Sequence, residues 1–175
     1  MTILVLGFGA FGSFAENPSA KLALAVHGRE AGRARIVGLE MPVSYRGCLA
    51  FTRMAASEHR PAFILGIGVA ANRDIALVEE QATNRVMPGR PDVDGCVPLG
   101  LGDGPDVLSS PDAWLLAQAL GVGCSPDAGR YVCNAWLYQV LQVRLRAGFL
   151  HIPPAGFDAE LLVAGLARIA GVLTA

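Results

Sequence analysis

The stretch "GRYVCNAW", Gly129 to Trp136, puts Cys133 in the first turns of an apolar helical run. Unpaired N–H groups and the helix dipole favour an anion there, which inclines a thiol towards the reactive thiolate. A cysteine on an apolar helix also packs as a small hydrophobe, and the local sequence leaves both readings open. His151 stands late in "GFLHIPP" and so projects from the end of a strand. His27 and His59 sit near helix ends, beside Gly28 and Arg60, where solvated capping roles account for them. Glu79 and Glu80 close the run "IALVEE", whose period of two sends one carboxylate to each face. One faces solvent or a helix. The other can face a site, where a buried carboxylate needs a partner and an imidazole is the chemically sensible one. Thiolate, imidazole base and a carboxylate that fixes the tautomer together have the logic of an activated nucleophile.

Those side chains depend on the elements that carry them. "TILVLGF" reads as a buried parallel strand ended by glycines. "ENPSAKLALAVHG" offers Asn17 as N-cap, Pro18 as the first helical residue and Gly28 as the stop. A second strand is expected over "ARIVGLEMPV", a helix capped by Ser44 over "YRGCLAFTRMAASEH", a third strand over "AFILGIGVA" and a fourth over "DIALVEEQATN". Val86 to Ser110 is rich in Gly, Pro and Asp and reads as irregular surface structure. Helix "DAWLLAQALG", extended "VGCSPD", helix "YVCNAWLYQVLQVRLR", strand "GFLHIPP" and helix "DAELLVAGLARIAGVL" complete the chain. This alternation predicts a three-layer α/β/α sandwich with a mostly parallel mixed sheet, in one domain over residues 1–175. The site is then expected at the carboxyl ends of the strands. Trp114 and Trp136 are expected in the core or at an interface, and Cys48, Cys96 and Cys124 to pack or lie in loops without a role.

Composition excludes several classes of function. With 14 basic and 15 acidic side chains in 175 residues, bulk charge attracts neither nucleic acid nor an anionic membrane. The four cysteines lack the spacing of a disulfide framework or a zinc site, so a reducing compartment and no metal are expected. "MTILVLGFG" has no basic n-region and too short an apolar run for a signal peptide, which predicts a soluble cytoplasmic protein. Gly7, Gly9 and Gly12 match a dinucleotide-binding glycine pattern. That pattern requires its last glycine to open a helix, whereas "SFAEN" intervenes before Pro18, so no dinucleotide or other cofactor is expected. Phe8 and Phe11 within this loop are either core or the wall of a small apolar pocket.

Four separated patches, in order, resemble the pyroglutamyl peptidase I family, the pyrrolidone-carboxylate peptidases of cysteine peptidase family C15. "GFGAFGSFAENPS" is similar to the family's opening GFxPFGG…NPS/T segment, and "NRDIALVEEQATN" to its R-x-x-(apolar)-E-R-x-A-x-N strand. "AGRYVCNAWLY" resembles its AGxYxCN nucleophile motif and "GFLHIP" its GF-(apolar)-HxP segment. The resemblance implies Cys133 as nucleophile and His151 as general base and then general acid. Ala82 and Asn84 stand at the family offsets, so the register selects Glu79 to orient His151, with Glu80 where arginine is usual. Phe8 and Phe11 match the phenylalanines that sandwich the pyrrolidone ring, and Arg90, before Pro91 and Asp92, corresponds to the arginine of an R-x-P-D stretch.

The implied function is removal of N-terminal pyroglutamate from small peptides through an acyl-enzyme, by a protein that commonly assembles as a homo-oligomer. A flat neutral lactam asks for apolar walls and a few backbone hydrogen bonds rather than a charged pocket. The chain departs from the family pattern at Ala10, where proline is usual, and at Ser13, where a second glycine is usual, and it has a shorter interval between Cys133 and His151. These departures fall around substrate access rather than on the three catalytic positions. Two alternatives accompany this reading: a cysteine amidohydrolase of the same fold acting on another small lactam or amide, and a catalytically inactive binding homologue.

Overall fold

In the computed structural model, residues 1–12 and 15–173 are described. The first half of the chain forms β1 (Thr2–Phe8), α1 (Pro18–Ala25), β2 (Glu30–Ala31), β3 (Ala34–Met41), α2 (Gly47–His59), β4 (Phe63–Val69), β5 (Leu77–Glu79) and β6 (Gln81–Thr83). Then come β7 (Val107–Ser109), α3 (Ala113–Leu120), β8 (Gly123–Ser125), α4 (Val132–Gln142), β9 (Ala147–Ile152) and α5 (Ala159–Leu173). The seven-stranded sheet has the order β2-β3-β1-β4-β9-β5-β8, and β6 and β7 form a separate pair. β3, β1, β4 and β9 are mutually parallel, while β5 runs antiparallel to β9 and parallel to β8. The expected α/β sandwich with a mostly parallel mixed sheet is therefore the fold.

Period-two alternation divides the strands between two apolar layers. Ile3, Val5, Phe63, Leu65, Leu150 and Ile152 face one layer, together with α1, α3 and α5. Leu4, Leu6, Phe8, Ile64, Ala147 and Phe149 face the other, with α2 and α4. Local signals set the helix boundaries. Asn17 Oδ1 accepts from Ser19 N at 3.0 Å, with Pro18 opening α1, as its sequence predicts. Ser44 Oγ accepts from Gly47 N at 2.8 Å at the start of α2. The helix opening at Pro18 also removes the dinucleotide reading: Gly7 lies inside β1, where an added Cβ would overlap the Ser19 carbonyl of α1. This glycine serves close helix-to-sheet packing.

The structure differs from the sequence reading in three places. The expected strand over "DIALVEEQATN" is broken at Glu80, whose N–H donates to Ser125 O and whose carbonyl accepts from Ser110 N, so that β6 leaves the main sheet. β7 lies within the segment read as irregular, and β2 is a further short strand. Of the two tryptophans expected in the core or at an interface, Trp136 is fully buried and donates from Nε1 to Thr52 Oγ1 at 2.8 Å, while Trp114 is 67% exposed on α3. That indole bond ties α4 to α2, within which Thr52 donates in turn to Cys48 O at 2.7 Å. Ser13 lies outside the described residues.

Candidate active site

α4 sits on the sheet layer that faces Phe149 and His151, because Gly66 and Gly68 on β4 have no side chains to hold it off. Gly68 pairs with His151 in register. A Cβ added at Gly68 would stand 2.7 Å from Cys133 Sγ and 2.9 Å from Phe149 Cζ, so the nucleophile candidate occupies space that only glycine leaves open. Tyr131 is the N-cap residue of α4, and its first helical bond runs from Ala135 N to Tyr131 O. The N–H groups of Val132, Cys133 and Asn134 precede that bond and point out of the helix start, where negative charge is favoured. Asn134 fixes this end. Its amide donates to Thr83 O and Arg85 O at 2.9 and 3.1 Å, and its Oδ1 accepts from Thr83 N at 2.8 Å.

His151 closes the arrangement from β9. Because β5 is antiparallel to β9 with Leu77 opposite His151, Glu79 lies diagonally across on the same face. His151 Nδ1 donates to Glu79 Oε1 at 2.7 Å, and Glu79 has no solvent exposure. With Nδ1 committed to the carboxylate, Nε2 is the nitrogen left for Cys133, which lies near enough to the ring to raise its pKa. Burial disfavours charge on this imidazole, but hydrogen bonds to Cys133 and Glu79 and the negative charge of both outweigh it, raising its pKa from 6.5 to about 9. This shift favours the charged ring at neutral pH. Burial pushes the Cys48 thiol up to about 12 and, helped by Glu80, also raises that of Cys124. Neither is suited to act as a nucleophile.

Cys133 and His151 open onto a cavity of about 590 Å³, in the size range of small-molecule sites. It also meets Phe8, Phe11, Val43, Met87, Arg90 and Tyr131. The two expected phenylalanines are not equivalent: Phe8 is 2% exposed and packs on Phe149, whereas Phe11 is half-buried and stacks on Tyr131 with ring centroids 5.0 Å apart. The Arg90 guanidinium is exposed and lies over both rings, 4.4 Å from the Tyr131 centroid and 5.3 Å from that of Phe11. Tyr131 donates its hydroxyl to Pro91 O at 2.9 Å, and the buried Asp92 accepts from Tyr45 N at 2.8 Å. Arg90, Pro91 and Asp92 thereby hold the aromatic wall to the rest of the fold.

Glu79, Cys133 and His151, chosen from sequence, come together in one cluster, and Phe8, Phe11 and Arg90 line its cavity. Sequence reasoning missed Tyr131, Asn134, Gly68 and Arg73. Three of them lay in quoted patches, Tyr131 and Asn134 beside Cys133 and Arg73 ahead of Glu79, but their partners are distant in the chain. Among the described residues no group of three or more His, Cys, Asp or Glu side chains is placed to hold a metal. No described helix is long and apolar enough to cross a membrane.

An α/β sandwich that sets a thiol at a helix start beside a histidine bonded to a buried carboxylate has the chemistry of a thiol hydrolase. The chain belongs to the pyroglutamyl peptidase family, whose model matches residues 1–157. It is 34% identical to a pyrrolidone-carboxylate peptidase of Levilactobacillus brevis, over 87% of this chain and 82% of the relative. It is 29% identical to one of Thermococcus onnurineus, over 87% and 84%. The solved pyroglutamyl peptidase I of Bacillus amyloliquefaciens superposes with a TM-score of 0.82 at 26% identity, covering 98% of this chain and 93% of that one. The pyrrolidone carboxyl peptidase of Thermococcus litoralis gives 0.84 at 22% identity, over 99% and 93%, a likeness of fold. These matches favour neither the other-amide hydrolase nor the inactive homologue.

Two outcomes follow from this geometry. Gly68→Ala should leave a folded protein by circular dichroism yet lower thiol-dependent turnover at least about tenfold, because the added methyl displaces Sγ; undiminished turnover would show that Sγ is not held there. The raised pKa of His151 also links stability to pH. Its contribution is present in full below about 6.5 and is lost as pH rises through about 9. The difference in melting temperature between the wild type and His151→Gln should therefore be constant below pH 6.5 and shrink through pH 9.

Proposed function

We propose that this chain removes N-terminal pyroglutamate from peptides, with Cys133 as nucleophile, His151 as acid and base, and Glu79 as the group that orients His151. The observation that carries the reading is the convergence on His151 of a carboxylate from β5 at 2.7 Å and a thiol from α4. In acylation, the Cys133 thiolate attacks the carbonyl that joins the lactam to the next residue. As the tetrahedral intermediate collapses, the C–N bond breaks and His151 gives its Nε2 proton to the departing amine. The neutral imidazole then takes a proton from water, whose oxygen attacks the thioester. Pyroglutamate leaves, and the thiolate and imidazolium are regenerated. The N–H groups at the start of α4 are positioned to receive the developing oxyanion.

The cavity suits the substrate class. Phe11 and Tyr131 offer flat apolar surface for a neutral lactam, with Val43 and Met87 beside them and Phe8 beneath. Arg90 binds at the rim, its guanidinium free to donate to a substrate carbonyl while it stacks on the wall. In this reading residues 1–175 work as one domain, in the cytoplasm, as a homo-oligomer, without metal or cofactor. The exposed Ala10 leaves the loop next to Phe11 less constrained than a proline would.

A pyroglutamyl aminocoumarin amide tests the reading. The pure protein should release the fluorophore in a thiol-dependent reaction and should leave the prolyl analogue, which lacks the lactam carbonyl, uncleaved. Cys133→Ala should lower release by about a thousandfold or more, and Glu79→Gln by about a hundredfold or more. Full release by Cys133→Ala would overturn the assignment.

A further inference from the structure

Arg73 lies in the connection between β4 and β5, with its side chain 21% exposed. Nη1 donates to Glu79 Oε1 at 2.6 Å, while Nη2 donates to Ser125 Oγ at 2.9 Å and to Asp127 O at 2.8 Å. The carboxylate oxygen it holds is the one that accepts from His151 Nδ1. Glu79 Oε2 is buried and has no hydrogen-bond partner among the described residues. Two donors on one oxygen therefore carry the whole compensation of a carboxylate out of contact with water.

Such a carboxylate is driven towards its neutral form unless cations hold it charged. His151 cannot do this throughout a catalytic cycle, because it must give up its proton and take it back. Arginine keeps its charge over the accessible pH range. The guanidinium also opposes the pull of Glu79 on the imidazolium, since like charges that share one carboxylate repel. The other ionisable groups near His151 are Glu79 from β5 and Cys133 from α4. The loop from Ser125 to Tyr131 leads into α4. There Asp127 N donates to Ser125 Oγ and Gly129 N to Asp127 Oδ1, so the contacts of Nη2 brace the segment that presents the thiol.

We infer that Arg73 is a positioning residue that keeps Glu79 charged, sets the proton balance of His151 through it, and joins that pair to the loop carrying Cys133. This rests on the Cys133, His151 and Glu79 reading above. Without the guanidinium, Glu79 holds the imidazolium too firmly. Acylation, which uses the imidazolium, still proceeds. Deacylation, which needs the neutral ring, stalls.

The test compares the wild type with Arg73→Met and Arg73→Lys. It reads the NMR titration of the His151 ring, kcat and KM on the pyroglutamyl aminocoumarin amide, and the acyl-enzyme in acid-quenched samples. Arg73→Met should move the titration of the coupled pair upward by about one pH unit or more. It should lower kcat at neutral pH about tenfold or more and lower KM in parallel, so that kcat/KM stays close to the wild type while acyl-enzyme accumulates. Arg73→Lys, which keeps the charge but not the forked contacts, should return the titration close to the wild type. If Arg73→Met does not fold, Arg73→Gln serves as the neutral variant with donors for the loop. Loss of activity in the neutral variant with an unmoved titration would reduce Arg73 to a brace and overturn the inference. Wild-type turnover in Cys133→Ala would instead remove the underlying catalytic reading, so the two failures are separable.

Discussion

The hydrogen bond from His151 Nδ1 to Glu79 Oε1 is the constraint on which the rest of the site depends. A carboxylate with no exposure to water costs several kcal/mol to bury, and only closely held cations offset that. The sheet meets this requirement through one departure from parallel order. β5 enters beside β9 from the opposite direction with Leu77 opposite His151, so Glu79 on its last position lies diagonal to the histidine on the same face. A parallel β5 would carry Glu79 along the direction of β9. The antiparallel β5 thus positions the buried carboxylate against the histidine rather than being an irregularity of an otherwise parallel fold.

From that bond the geometry extends outward through packing. With Nδ1 occupied, Nε2 faces the thiol, and the thiol can approach only because Gly68 leaves its side of β4 bare. α4 is held in place by Trp136, whose indole is buried over Gly66 and bonded to Thr52, and by the Asn134 amide on the Thr83 backbone. These contacts fix the start of a helix, where backbone N–H groups can meet an oxyanion without reorganising. The substrate wall is looser by comparison. Phe11, Tyr131 and Arg90 form an open stack at the rim, so changes of specificity in this chain are more readily made there than at the buried triad.

Much of this was legible in the sequence because it is local. Asn17 and Pro18 announce α1, the β-branched runs announce β1, β3 and β4, and the alternation in "IALVEE" places the two carboxylates in different surroundings, Glu79 fully buried and Glu80 half-buried, although only the family register singles out Glu79. What was not legible is tertiary. The break at Glu80 comes from backbone bonds to Ser110 and Ser125, and the two-residue β2 and three-residue β7 are too short to carry a periodic signal. Tyr131 shares the aromatic wall with Phe11 because Phe8 turns into the core against Phe149, a choice that depends on strand register. Trp114 shows the limit of local pattern: an apolar helical run offers either core or interface, and Trp114 is exposed on α3 while Trp136 is buried.

The central claim is that the Cys133 sulfur carries the pyroglutamyl group during turnover. Acid quenching during steady-state hydrolysis of a pyroglutamyl ester or amide, followed by intact-mass measurement and peptide mapping, tests it most directly. The account predicts a thioester-labile pyroglutamyl adduct on the peptide containing Cys133, absent from Cys133→Ala and depleted as substrate is exhausted. An adduct on another residue, or sustained turnover in Cys133→Ala, would contradict it.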